Sequence, residues 1–163
     1  MRKDHTDETL RKQAWDYFQM HSGQRLTTFN FYIVISSVIT TAFFATLQKE
    51  YQVPQLGIAL GFLLVFFSFV FWRVDIRNRQ LIKGAESALK FFERTSELED
   101  TNSEPHIAKI FLREEYETRL KRGNISLGLL EKHYSYSDSF NMVFLAFGAI
   151  GVLGVVITSI RAL

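Results

Sequence analysis

Two apolar runs without a single charged side chain constrain this chain more than anything else in it. They are FNFYIVISSVITTAFFATL (Phe29–Leu47) and LGIALGFLLVFFSFVFW (Leu56–Trp72). A helix rises about 1.5 Å per residue, so each run covers roughly 26–28 Å, close to the hydrocarbon thickness of a bilayer. The break between them, QKEYQVPQ, contains Lys49, Glu50 and Pro54, which lipid tolerates poorly. The pattern predicts a transmembrane hairpin over 29–72. A soluble core of 163 residues rarely hides two uncharged helices of this length.

A third run, Phe140 to Ile160, is also long enough to span. Its glycines, Gly148, Gly151 and Gly154, lie inside an apolar stretch rather than between a strand and a helix. They therefore predict a small-residue packing face, not a dinucleotide loop. Gly57 and Gly61 form a GxxxG pair on the second run, which favours close helix contact. Twelve of the 16 phenylalanines sit in these three runs, where they suit lipid-facing and helix-packing surfaces. The expected fold is all-α: an integral membrane protein with a hairpin plus a C-terminal span, and a cytosolic helical bundle.

The polar segments complete the plan. Residues 1–28 read as an amphipathic N-terminal helix, with Leu10, Ala14, Phe18, His21 and Arg25 on or near one face and Trp15 and Tyr17 beside it. That face either packs on later cytosolic helices or lies at the lipid headgroups. The first 28 residues lack an apolar signal region, so the first span is expected to be the targeting signal. Residues 73–139 form the cytosolic region. Its first part continues the second span into water and carries a seam, Leu81, Ala85, Ala88 and Phe92, broadened by Ile82 and Leu89, that requires a partner. An acidic loop, 95–105, precedes a helix expected to start at Pro105, with Ser103 or Glu104 as its cap and Ile107, Ile110, Phe111 and Leu120 turned inward. Gly123 is the expected stop. A short amphipathic piece with Leu127, Leu129 and Leu130 follows, then the third span over 140–161.

Lys and Arg number five before the first span, one in the turn, twelve in 73–139 and one in the tail. By the positive-inside rule the N terminus faces the cytoplasm and the C terminus faces outward, as in a bacterial inner membrane.

The chemistry is sparse. His5, His21, His106 and His133 make no pair at i, i+3 or i+4, so no helical metal site is expected. There is no cysteine, no HExxH, no phosphate-binding P-loop and no GxSxG. No catalytic residue, cofactor or metal is predicted, and the chain is not expected to be an enzyme. A formal charge of +2 leaves no footprint for direct nucleic-acid binding. No charged group lies inside a span, which argues against a proton-coupled pump or voltage sensor.

Three sets of residues stand out. Asn30, Ser37 and Thr41 share a face of the first span, with Ser36 and Thr40 in an adjacent row. They serve either helix packing or the lining of a pore in an oligomer. At the cytoplasmic interface, His21, Gln24 and Arg25 lie before the first span, and Arg73, Asp75, Arg77, Asn78, Arg79 and Lys83 after the second. They read as anchors with salt bridges such as Asp75 to Arg79, or as a ring of cations in an oligomer. Such a ring could bind an anionic nucleotide or set ion selectivity. The third set is the seam.

A charged helix ending in QMHSGQR (19–25), the hairpin, and the Arg-rich FWRVDIRNRQLIKGAESAL (71–89) resemble the SLATT-type small membrane proteins over about the first 95 residues. That resemblance implies a pore-forming effector of bacterial anti-phage systems of the CBASS or CRISPR type, paired with a nucleotide-signalling or other sensor. The third span departs from the simplest two-span form. The functional expectation is a homo-oligomer that perturbs the bilayer, triggered by a protein or an anionic nucleotide. The alternative is a non-conducting adaptor whose cytosolic helices dock a partner enzyme or sensor.

Overall fold

A computed structural model describes residues 2–48, 53–100, 104–123 and 136–162. The described residues form four helices: α1 (Arg2–Thr46), α2 (Pro54–Thr95), α3 (Ile110–Gly123) and α4 (Tyr136–Ala162). Among them, three helices are long and apolar enough to cross a membrane. The centre of the 48–55 turn, the Ser103 cap, the Leu127/Leu129/Leu130 piece and His133 lie outside the described residues.

The chain divides into two compact units. One holds Gln24–Arg77 and Tyr134–Leu163 and is called here the span unit. The other holds Met1–Gly23 and Asn78–His133 and is called the extension unit. Helices α1 and α2 each contribute to both. The amphipathic N-terminal helix and the first span are therefore one helix, because nothing between Arg25 and Phe29 breaks it: the segment has no proline, and its threonines tolerate helix. Pro54 opens α2 at the position where its missing N–H costs least. The N–H groups of Leu56 and Gly57 bond to the Val53 carbonyl, 3.1 and 3.4 Å away.

In the span unit α1 and α2 run antiparallel and α4 runs parallel to α1. Phe29 stacks on Phe140 at 3.7 Å, and Tyr32 meets Phe144 and Phe147 at 4.7 and 5.7 Å. At the opposite end, the Arg161 guanidinium donates to the Leu47 carbonyl at 3.0 Å, supplying the cation that the last turn of α1 lacks. The α2–α4 contact is backbone on backbone. A Cβ built on Gly61 would fall 2.9 Å from the Gly151 carbonyl oxygen, and one on Gly151 would fall 2.8 Å from that of Gly61. Gly61 and Gly151 therefore pack on each other within one chain, while Gly57 faces Thr158 and Thr46 and Gly154 faces Phe43 of α1. The core around them is Tyr32, Phe140 and Phe144, with Ile39, Phe43 and Leu64 also buried. Outside, Phe31, Val38, Phe62, Phe66, Leu145 and Val152 are exposed, as lipid contact requires.

The extension unit packs Trp15 and Phe18 of α1 on Phe111 of α3, with ring centroids 6.4 and 5.3 Å apart. The N-terminal helix thus packs on a later helix, although Leu10 stays exposed. Helix α3 starts at Ile110, five residues later than the sequence predicts from Pro105. The reason is a carboxylate reaching across from α2. Glu93 accepts the N–H groups of Phe111 and Leu112 at 3.1 and 2.9 Å, and so does the work of an N-cap. The segment before it is held by Asp100, which accepts from the His106 N–H at 3.1 Å and from Lys109 Nζ at 2.8 Å. With the start moved, only Phe111 of the predicted inward set turns in. Ile107, Ile110 and Leu120 are exposed.

Candidate functional site

The first span carries its polar residues on two faces. Asn30, Ser37 and Thr41 are exposed on the side of α1 opposite Tyr32, Ile39 and Phe43. The Thr41 hydroxyl bonds back to the Ser37 carbonyl at 2.9 Å, which hides part of its polarity along the helix. Ser36 is fully buried and Thr40 half-buried on the inner side. Of the five candidates Ser36 is thus enclosed by its own bundle, which leaves Asn30, Ser37 and Thr41 as the outward row. Beside Ser36, the Tyr32 hydroxyl and Ser68 Oγ bond at 2.8 Å, and Ser68 Oγ also donates to the Leu64 carbonyl at 2.8 Å. The inner row thus faces the helix bundle, with the Ser36 and Thr40 hydroxyl oxygens buried in it.

The cation cluster also splits. In the span unit, Arg25 is committed. Its Nε donates to Asp75 Oδ1 at 2.6 Å and its Nη2 to Asp75 Oδ2 at 3.1 Å and Ser137 Oγ at 3.2 Å. The guanidinium also lies 4.8 Å from the centroid of the Phe140 ring. A bidentate pair with a second hydrogen bond and an aromatic face ties α1, α2 and α4 at one point. Arg25 thus spends Nε and Nη2 on Asp75 and Ser137, and Asp75 pairs with Arg25 instead of the expected Arg79. Gln24, Arg73 and Arg77 are exposed. In the extension unit, Arg79 is half-buried, Lys83 is exposed, and the half-buried His21 sits 4.2 Å from the Tyr17 ring.

The seam on α2 is covered to a large extent by its own unit. Ala85 and Leu89 are buried, and Leu81, Ala88 and Phe92 are half-buried. The same helix anchors α3 electrostatically. Lys90 Nζ lies 2.6 Å from Glu86 and 3.3 Å from Glu115, and Arg119 also bonds Glu115. Burial works against the Lys90 charge, but the two carboxylates outweigh it and raise its pKa above the usual lysine value. Lys90, with Arg119 behind it, holds Glu115 below the usual carboxylate range. Lys109 and the His106 N–H lower Asp100 in the same way.

Sequence reasoning missed the Arg25–Asp75 pair, the Tyr32–Ser68 bond and the Glu93 cap. A signal for the first two was present. In an antiparallel hairpin, facing residues share a midpoint, and both pairs are centred on residue 50. Nothing local marks Glu93, whose partners lie 18 and 19 residues away.

The model of the octameric membrane protein family matches residues 8–160, nearly the whole described chain. A relative named CD-NTase-associated protein 19, from Escherichia coli, is 39% identical over 82 residues. That match covers 50% of this chain and 54% of the relative, so the two are aligned over about half of each. No solved structure matches.

Proposed function

The chain belongs to the octameric membrane protein family, and from that premise we propose that it is a homo-oligomeric, multi-pass effector of the bacterial inner membrane. In this reading its α1 helices line a pore, and it serves anti-phage defence beside a nucleotide-signalling partner. The carrying observation is the outward face of α1, where Asn30, Ser37 and Thr41 stand exposed while the inner row faces the bundle. Three helices cannot enclose water by themselves. A ring of such faces can, because neutral hydroxyl and amide groups hydrate without the cost of a buried charge. The relative named for association with a CD-NTase supports the defence setting. The N terminus is cytoplasmic and the C terminus extracytoplasmic, by the Lys/Arg bias.

The test is ion leak from vesicles containing the purified oligomer. Ser37→Leu and Thr41→Leu should each abolish leak while the particle mass stays at that of the wild type. Ser36→Ala should leave leak intact. Unchanged leak from both leucine variants would remove α1 as the lining. The adaptor reading rests on a different observation, the exposed Phe91, Ile107 and Ile110 of the extension unit. It gains if Ile110→Glu loses a co-purifying protein and no variant leaks.

A further inference from the structure

On α2, Phe62, Phe66, Phe69, Arg73 and Arg77 follow one another at spacings of four, three, four and four, so they form one stripe along the helix. All five are exposed, the phenylalanines at 62, 59 and 57%. Trp72 flanks the stripe, its ring 6.1 Å from that of Phe69. The two arginines have no ion-pair partner among the described residues of the chain. The carboxylate nearest them in sequence, Asp75, is turned inward and spent on Arg25. The charge left on this flank is therefore uncompensated, and it stands where the apolar run ends.

We propose that this flank of α2 is a binding site for an anionic phospholipid. Arg73 and Arg77 take the phosphate, and an acyl chain lies along Phe69, Phe66 and Phe62. Two guanidinium forks one helical turn apart match the oxygens of a phosphate diester. The phenyl stripe extends about 10 Å along the helix, enough for the upper part of an acyl chain. Trp72 belongs at the glycerol level between them. The chemistry is that of a phosphate monoanion, and the aromatic stripe selects its lipid form over a soluble one. The inference depends on the protein being in a membrane and not on the pore reading.

The experiment measures lipid retained by the full-length oligomer after reconstitution in equal parts phosphatidylglycerol and phosphatidylcholine, followed by detergent extraction and native mass spectrometry. Each cation at the membrane surface is worth about 1 kcal/mol toward an anionic lipid, so two give roughly a 30-fold preference for phosphatidylglycerol. Arg73→Gln/Arg77→Gln should bring that preference to within about 2-fold, with particle mass and helicity unchanged. Arg73→Lys/Arg77→Lys should retain part of it. Equal retention of both lipids by the wild type overturns the proposal, and needs no variant to fold. A smaller particle in the glutamine variant also overturns it, because the pair then makes a subunit contact. So does stabilisation by inorganic phosphate or a free nucleotide that matches that of phosphatidylglycerol, since the site then reads a soluble anion.

Discussion

Gly148 and Gly151 lie on the same helix and differ by one turn, yet replacing each with alanine should move stability in opposite directions. A Cβ on Gly151 falls 2.8 Å from the Gly61 carbonyl oxygen, 2.9 Å from Val65 Cγ2 and 3.1 Å from the Val65 nitrogen. Two of these are backbone atoms of α2 and cannot rotate away, so α2 and α4 have to part by roughly 0.5 Å to reach ordinary contact. A gap of that size forfeits about a quarter of the dispersion energy along the seam, and overpacking of this kind costs about 1–3 kcal/mol. Alanine returns up to about 1 kcal/mol of helix propensity. The net expectation for Gly151→Ala is a loss of about 1–2 kcal/mol. A Cβ on Gly148 meets Ser68 Cβ at 3.6 Å, an ordinary contact, so Gly148→Ala keeps the propensity gain without the clash. The pair should differ by about 2 kcal/mol, roughly 30-fold in the unfolding constant. Steric trapping in bicelles reads this directly. Changes of the same sign, or a gap below about 0.5 kcal/mol, would refute the backbone-on-backbone packing of α2 and α4.

Two further outcomes follow from the charged groups. Asp75→Asn strands the Arg25 guanidinium, 14% exposed, with one neutral oxygen in place of a carboxylate. It should cost up to about 3–5 kcal/mol in the same assay, and Arg25→Met/Asp75→Leu should recover most of it. A single variant as stable as the wild type would show that the pair carries no load. In the extension unit, Glu115 and Asp100 are held below their ordinary values of 4.5 and 3.8. Their contribution is present above those values and is lost as pH falls through the depressed ones. Lys90 is held above its ordinary 10.5, so its contribution is present at neutrality and lost only as pH rises past that range. The docking of α3 should therefore be flat through neutrality and weaken in acid. Trp15 emission in a Trp72→Phe background reports it, since Trp15 contacts Phe111. Loss of the signal between pH 6 and 8 would point to a different group.

The spans were legible because bilayer thickness writes itself into run length. Leu56–Trp72 and Phe140–Ile160 fall wholly within α2 and α4, and Phe29–Leu47 falls within α1 but for its last residue, since α1 ends at Thr46. The glycine faces were legible too, since only small residues let helices meet at backbone distance, although their mutual pairing needed coordinates. The polar stripe on α1 was half legible. Periodicity separates Asn30, Ser37 and Thr41 from Ser36 and Thr40, but it does not say which row the other helices cover. The start of α3 was illegible from local signals, because Pro105 is a strong starter by rule and the true cap, Glu93, arrives from another helix. The cations misled for a similar reason. A run of arginines looks uniformly available until a hairpin register brings Asp75 to Arg25.

The reciprocal seating of Gly61 and Gly151 has a consequence for biosynthesis. The groove on α2 is filled by a helix that the ribosome makes after it. Between completion of α2 at Thr95 and the end of α4 at Ala162 lies the synthesis of 67 residues, about 3–13 s at bacterial elongation rates. Through that interval α4 is not yet there to meet Gly61, nor Arg161 to meet the Leu47 carbonyl. A bare GxxxG groove is a ready dimerisation surface, so nascent hairpins from neighbouring ribosomes compete with α4 for it. Tethering gives the chain's own α4 the higher effective concentration in that competition.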